Sequence, residues 1–150
     1  MVRPSNKNYP TSPIFVDPGS GEVIGKNDQL VTKVSSKSTG GAYCLFERIT
    51  QPGTGVELHI HENEDEIYHI LEGEYEIRCG DVIYKASKGA VAVLPRKIPH
   101  SSRNVSDEVS RALLLCSPGG FDNFMEELSK TGTPENRNAI YSKYGFRLLS

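Results

Sequence analysis

From residue 14 to residue 116 the sequence repeats one pattern, in which a short run of β-branched or aromatic residues precedes glycine, proline, asparagine or aspartate. Short runs bounded by such turn formers are typical of β-strands. The predicted strands are Ile14 to Val16, Glu22 to Ile24, Leu30 to Val34, Tyr43 to Thr50, Val56 to His61, Glu66 to Leu71, Tyr75 to Arg78, Val82 to Lys85, Ala90 to Leu94, His100 to Asn104 and Val109 to Cys116. The first two flank Asp17-Pro18-Gly19-Ser20-Gly21 and are expected to form a hairpin. Roughly ten strands at this spacing predict an all-β fold, a small barrel or jelly roll around a central cavity.

After Cys116 the apolar residues follow a helical period. Phe121, Phe124, Met125 and Leu128 lie at positions i, i+3, i+4 and i+7, which predicts a short amphipathic helix. A second helix is indicated by Thr133 as its N-cap, Pro134 at its first position and Gly145 at its end. Because both helices are short, we expect them to cap one end of the barrel or to join a dimer contact.

Length and composition predict a single cytoplasmic domain. The chain of 150 residues suits one core, with the barrel at about 14–116 and the helical segment at about 119–145. A net charge of −2 and scattered basic residues argue against a nucleic-acid partner. Met1 to Pro13 has no apolar run, which predicts neither a secretory signal nor a membrane span. The spacing of Cys44, Cys79 and Cys116 predicts reduced thiols.

Three of the four histidines form a pattern suited to a metal ion. His59 and His61 are one residue apart in a predicted strand, so both imidazoles project to the same side. Glu66 can return on the neighbouring strand, and His100 can supply a third nitrogen from elsewhere in the barrel. Three imidazoles and a carboxylate leave about two positions open on an octahedral ion. We therefore predict a site for a divalent transition metal, which the donor set leaves open among Fe, Mn, Ni, Co, Cu and Zn.

The alternation of side chains along a strand also sorts the neighbours of these ligands. His69 is odd-numbered from Glu66 and is predicted to lie on the opposite face, as a packing or dimer-contact residue. The residues that share the faces of Glu66 and His100 are candidate pocket walls; they are Tyr68, Ile70, Ser102 and Asn104. For Asn104 a structural hydrogen bond is favoured over substrate contact. The loop acids Glu62, Glu64 and Asp65 are predicted to be solvated charges.

The same residues resemble the two sequence motifs of the cupin superfamily. The first motif is matched at Gly53, His59, His61, Glu66 and Gly73, with every spacing met. The second is matched at Gly89, Pro95, His100 and Asn104, with Lys97 where the motif has a glycine. Because glycine tolerates a positive φ, the turn before His100 must take a conformation open to lysine, or Lys97 must be strained.

Beyond the motifs, residues of about 30–130 are similar to single-domain cupins of the quercetin dioxygenase-like group. The matching segments are Thr39 to Tyr43, Leu58 to Glu76, Leu94 to Asn104 and Pro118 to Phe121. The resemblance implies a double-stranded β-helix barrel, a central metal bound by His59, His61, Glu66 and His100, and often a homodimer. The fold is implied more firmly than the substrate, because one scaffold hosts unrelated chemistries.

We therefore expect an oxygen-dependent dioxygenase that acts on a flavonol-like or other enolisable small compound, with Glu66 as both ligand and base. Three alternatives use the same residues: an oxygen-independent isomerase or lyase, a metal-dependent module that binds or senses a small molecule, and a structural metal. A pocket closed by aromatics such as Phe46 and Tyr68 would favour the binding module. A deep, open pocket with polar groups besides the ligands would favour an enzyme.

Overall fold

The strands lie in two sheets that face each other. A computed structural model describes residues 12–149, and within that range the chain has eleven strands. In order they are β1 (Glu22–Ile24), β2 (Asp28–Val34), β3 (Cys44–Thr50), β4 (Gly55–His61), β5 (Asp65–Glu72), β6 (Glu74–Cys79), β7 (Val82–Ser87), β8 (Val91–Leu94), β9 (His100–Asn104), β10 (Ser110–Ser117) and β11 (Phe146–Leu148), with helices α1 (Phe121–Ser129) and α2 (Pro134–Tyr144) before β11.

One sheet has the order β1-β2-β3-β10-β5-β8 and the other the order β11-β4-β9-β6-β7. Every pairing is antiparallel. Many neighbours are not consecutive in sequence, so the chain crosses repeatedly between the sheets, as in a jelly roll. Within residues 12–149 the sheets stay separate and do not close into one barrel. The predicted all-β jelly-roll fold is confirmed.

The core fills the space between the sheets. Side chains of β3 and β10 alternate between buried and partly exposed, so each strand turns one face inward. Phe46 lies opposite Leu114 across these two strands, and both are buried against Ile70 and Ile77. Burial of each such side chain stabilises the fold by about 2 kcal/mol. The inward faces therefore also bring the polar residues of β4, β5 and β9 towards one another.

The prediction that Ile14 to Val16 pairs with Glu22 to Ile24 in a hairpin is wrong. Ile14 to Val16 form no strand, and Phe15 is 85% exposed. β1 instead pairs with β2, across a turn in which Gly25 has φ 96° and a Cβ would lie 2.2 Å from the Asp28 carbonyl oxygen. Only glycine fits there, so the turn is set by Gly25 rather than by the Asp17-Pro18 segment. Most of Met1 to Pro13 lies outside the described residues.

The two helices form at the predicted positions and pack against the core of the strands. The Thr133 hydroxyl accepts a hydrogen bond from the Asn136 backbone N–H, and Gly145 ends α2 with φ 66°. Phe121, Phe124 and Ile140 are buried in the same core as the strands. β11, which the sequence analysis did not predict, then pairs with β4. No helix within residues 12–149 is long and apolar enough for a membrane crossing.

Candidate metal centre

Three strands from the two sheets bring the predicted ligands together. β4 carries His59 and His61, β9 carries His100, and β5 of the facing sheet carries Glu66. His59 lies directly opposite His100 in the β4–β9 pair. All four side chains are buried, and one ligand atom from each lies within 4.8 Å of the others.

The outer nitrogen of each imidazole has a fixed partner. His59 Nδ1 lies 2.6 Å from the Glu57 carbonyl oxygen, and His100 Nδ1 lies 3.1 Å from that of Ile98. A carbonyl oxygen only accepts, so these Nδ1 atoms carry the proton. His61 Nδ1 lies 2.7 Å from Glu64 Oε1. In the neutral rings the Nε2 lone pairs are therefore free.

These Nε2 atoms converge on Glu66. His61 Nε2 lies 3.1 Å from Glu66 Oε1 and 3.1 Å from His59 Nε2. His100 Nε2 and Glu66 Oε2 are 3.0 Å apart, yet both are buried without a hydrogen-bond partner. Buried polar atoms are almost always partnered, and electron pairs this close repel one another unless a cation or proton lies between them. Three nitrogens and a carboxylate match a divalent transition metal, so these residues could hold one.

The electrostatics of the protein without metal reflect the same crowding. Burial lowers the pKa of His59 to about 4. Burial also opposes a charge on His61, but the carboxylates of Glu66 and Glu64 outweigh it and raise the His61 pKa to about 9. Burial likewise raises the pKa of Glu66, yet His61 and His100 hold it well below its usual range. The site thus places a carboxylate against imidazoles of unequal basicity.

Glu64 corrects the prediction that the loop acids are all solvated. Its side chain is buried and accepts the His61 Nδ1–H, an arrangement that fixes the orientation of a metal-binding imidazole. Glu62 is partly exposed and pairs with Arg147, while Asp65 binds Arg96. In the sequence, Glu64 is an acidic residue three positions after the ligand His61. That spacing alone does not show whether the residues between them form a tight turn or an open loop.

Of the two possibilities left open for Lys97, a turn conformation open to lysine or a strained residue, the structure shows the strained one. Its φ is 68°, the one positive value at a non-glycine residue in the described chain. Its backbone N–H donates to the His61 carbonyl oxygen at 2.7 Å. This bond ties the turn before β9 to the strand that carries two ligands. The turn therefore keeps its geometry at a cost of about 1–2 kcal/mol.

A cavity of about 280 Å³ adjoins the metal centre. His59, Glu66 and Tyr68 line it, whereas His61 and His100 do not. Its other walls are Asp28, Leu30, Arg48, Gly55, Val56, Glu57, Leu114, Phe121, Phe124, Met125, Leu128, Tyr141, Phe146 and Leu148. Most of these are apolar, and of the polar ones Asp28 is bound to Arg48.

The remaining predicted pocket residues lie outside this lining. Ile70 is part of the apolar core. The Asn104 side-chain amide donates to the carbonyl oxygens of Thr50 and Glu108, which is a structural role. Ser102 is buried behind the cavity wall, where it accepts from Arg48. His69 is exposed on the outer face, as strand alternation predicts.

Arg48 is a site residue that the sequence analysis missed. It is fully buried, with its guanidinium bound to Asp28 and Tyr68. Burial raises the pKa of the Tyr68 phenol well above its usual value, so this hydroxyl stays protonated. Arg48 lies two residues after Phe46 in β3, so strand alternation places both on the inward face. The neighbouring Leu45 and Ile49 lie on the other face, and this apolar pair hid the signal in the sequence.

Comparisons with known proteins agree with the fold. Residues 46–116 match the family model of the cupin domain. The chain is 34% identical over 73 residues to uncharacterized protein MJ1618 of Methanocaldococcus jannaschii, covering 49% of this chain and 58% of that protein. It is 28% identical over 89 residues to polyketide synthase CurC of Streptomyces cyaneus, covering 59% and 56%. The chain thus spans less than two thirds of the length of these relatives.

The solved structure of KdgF from Halomonas sp. superposes with a TM-score of 0.63 at 18% identity, covering 74% of this chain and 99% of that one.

Proposed function

Because the chain carries a cupin domain and has the cupin fold, we propose that it is a metal-dependent dioxygenase acting on a flavonol-like or other enolisable small compound. The observation that supports this most is the contact between the cavity and the metal centre. His59 and Glu66 belong to both, so a compound in the cavity would lie directly against two of the four ligands. A ligand set of four also leaves about two positions of an octahedral ion free.

Glu66 has the position and chemistry of a proton acceptor. Its Oε2 atom is buried and has no hydrogen-bond partner, and the residue lines the cavity. When bound, the metal would supply the positive charge that acidifies a substrate hydroxyl, together with open coordination positions. Glu66 can then accept the hydroxyl proton over a short distance. We propose that it acts as both ligand and base.

Two further observations support an enzyme that acts on enolisable compounds. The cavity contains polar groups besides the ligands, at Asp28 and Arg48, which supports catalysis over simple storage. Its aromatic walls, with Tyr68 among them, are the feature expected of the binding module. The relative CurC is named a polyketide synthase, and compounds with alternating carbonyl groups enolise readily. The part of CurC that the chain matches is limited to 56% of its length, so the substrate class is part of the proposal.

The test is oxygen uptake by protein purified without chelators, with its metal identified by elemental analysis. We expect iron, nickel or another redox-competent metal, and dioxygen consumption with a flavonol or a β-diketone. Glu66→Gln should abolish turnover while some metal stays bound, and Glu62→Gln on the loop surface should not. Turnover without dioxygen would identify an isomerase or lyase instead. Zinc with no turnover of any substrate would favour a binding module.

We also propose that the chain forms a homodimer through the neighbouring edges of its two sheets. β7 and β8 are both edge strands, and they border one shallow cleft. The exposed apolar side chains there are Val82, Ile83, Tyr84, Val91 and Val93, each between 48% and 64% exposed. Of these, Tyr84, Val91 and Val93 line the cleft, and exposed apolar side chains that lie together often mark contact sites. A second copy would cover both edges at once.

A further inference from the structure

The polar end of the cavity carries a positive charge that is already neutralised. Arg48 Nε donates to Asp28 Oδ1 at 2.8 Å, and Arg48 Nη2 donates to Asp28 Oδ2 at 2.6 Å. This is the two-bond geometry that makes arginine–carboxylate pairs strong. Asp28 also accepts from the Thr50 hydroxyl at 2.9 Å. A ligand carboxylate would have to compete with Asp28 for the same guanidinium edge.

The remaining edge of Arg48 binds hydroxyl groups. Its Nη1 donates to Tyr68 Oη at 3.1 Å and to Ser102 Oγ. A hydroxyl that accepts in this way keeps its own hydrogen for donation. Of the two, Tyr68 lines the cavity, and its hydroxyl lies close to both the Arg48 guanidinium and Ser102. The cavity wall thus contains a hydroxyl group that is able to donate, whereas its arginine is already paired.

The other charged walls are unfavourable to anions. Glu57 and Glu66 line the cavity, and Arg48 is the one lysine or arginine among its lining residues. The remaining surface is mostly apolar, with aromatic rings from Phe121, Phe124 and Phe146. Moving a carboxylate from water into such surroundings without a free partner is costly. The volume of about 280 Å³ corresponds to roughly nine water molecules, which suits a compound of one or two rings.

We propose that the site selects small, uncharged aromatic or enolisable compounds, that Tyr68 positions them by donating to a carbonyl or hydroxyl oxygen remote from the metal, and that the Asp28–Arg48 pair excludes carboxylates. Tyr68 stands two residues after Glu66 on the same face of β5, a separation of about 6.6 Å along a strand. The inference rests on the proposed function, because it takes the substrate to bind at the metal with its second oxygen at Tyr68.

The experiment compares two ligands of nearly the same shape, of which one is neutral and the other is an anion. One is a catechol with a methyl ketone para to a hydroxyl, and the other is the matched catechol carboxylate. Both are titrated by calorimetry into zinc-loaded protein, in which no oxidation occurs. We expect the ketone to bind at least about tenfold more tightly. Equal or tighter binding of the carboxylate by the natural protein would overturn the proposal.

Two variants separate the roles of the polar residues. Tyr68→Phe should weaken ketone binding about fivefold, the equivalent of one ordinary hydrogen bond. Asp28→Asn should free the Arg48 guanidinium and strengthen carboxylate binding about tenfold or more. Tyr75→Phe is the matched control, because Tyr75 bonds to Thr50 in the same network but does not line the cavity. The ratio of ketone affinity to carboxylate affinity in this variant should equal that of the natural protein.

Binding by the variants can be compared only after each has been shown to fold. Asp28→Asn leaves a buried charge less well paired, so circular dichroism and zinc content are measured for each variant first. If that variant does not fold, the ketone-to-carboxylate ratio of the natural protein and the loss in Tyr68→Phe still decide the proposal. Unchanged ketone binding in folded Tyr68→Phe would contradict the role of Tyr68. Because binding to the zinc form needs no turnover, failure of the dioxygenase proposal shows separately as absent oxygen uptake.

Discussion

The partner of each Nδ1 atom sets the orientation of the imidazole at the metal centre. His61 presents Nε2 to Glu66 because its Nδ1 is bound to Glu64 at 2.7 Å. His59 and His100 are oriented by backbone carbonyl oxygens, which no substitution of a side chain removes. Glu64 is therefore the side-chain acceptor through which the orientation of a ligand can be tested by mutation.

We expect Glu64→Met to weaken metal binding by about ten- to a hundredfold, because the acceptor that orients His61 is lost. Glu64→Gln, which keeps an oxygen acceptor, should lose less. The measurement is competition against a chromophoric chelator at fixed pH. Glu62→Gln is the matched control on the same loop, and its affinity should be unchanged. An affinity for Glu64→Met equal to that of the control would show that Glu64 does not support the site.

Backbone strain at Lys97 gives a second prediction at this scale. Lys97→Gly should raise the free energy of unfolding by about 1 kcal/mol, because glycine accepts the φ of 68° without the Cβ clash. Lys97→Ala should give no such gain, since alanine keeps the Cβ. Urea denaturation of the metal-free proteins measures both. A stabilised alanine variant would point to the exposed lysine charge rather than to the backbone.

At the scale of elements, the turn between β8 and β9 is held by Asp65 at the start of β5. Asp65 Oδ1 accepts from the Arg96 backbone N–H at 2.9 Å and from Arg96 Nε at 3.1 Å. The hydrogen bonds from Arg96 lower the pKa of Asp65. This contact joins the strand that carries Glu66 to the turn that leads into His100.

The stability that this turn gains depends on pH. A depressed carboxyl pKa stabilises the fold above the ordinary aspartate pKa of about 3.9, and the gain is lost as the pH falls through the lowered value. We expect Asp65→Asn to lower the urea midpoint at pH 7, with a difference that shrinks in acid below about pH 4. Asp107→Asn, at an exposed position, should change little. A difference that stayed constant down to low pH would exclude the ion pair as its source.

Elements were predictable where the sequence pattern has a strict period. Strand alternation placed His59 and His61 on one side and His69 on the other, and the Pro134 and Gly145 signals bounded α2. β11 has three residues, too few for a period, and forms because β4 offers it an edge. Strand alternation also places Arg48 on the inward face of β3, but the partners that make its burial possible, Asp28 and Tyr68, lie 20 positions away in the sequence. Glu64 is buried by a tight turn beside His61, which no periodic pattern encodes.

At the scale of the whole molecule, the two sheets leave one pair of edges apolar and exposed. Charged residues or bulges usually protect edge strands, but β7 and β8 present Ile83, Tyr84 and Val93 to solvent. The metal centre lies between the sheets and does not involve these residues. Assembly and metal binding can therefore be tested independently.

We expect light scattering to give the mass of a dimer for the natural chain and of a monomer for Val93→Lys combined with Ile83→Lys. The charges would be buried without partners in the proposed interface. Val23→Lys, on the exposed far edge of the first sheet, is the matched control and should remain dimeric. A monomeric natural chain, or a dimer that survives both lysines, would contradict this interface.

Because β11 comes late in the sequence, it is synthesised after the three strands that carry the metal ligands. β11 completes the edge of β4, and Phe146 stacks on His59 with ring centres 5.1 Å apart. The neighbouring Arg147–Glu62 contact spans 85 positions, so a ribosome synthesises all four ligands well before the segment that covers them. Contacts between residues so far apart form late in folding. The nascent chain thus has an interval in which β4 is an open edge, and in which a metal ion, a chaperone or another chain can reach it.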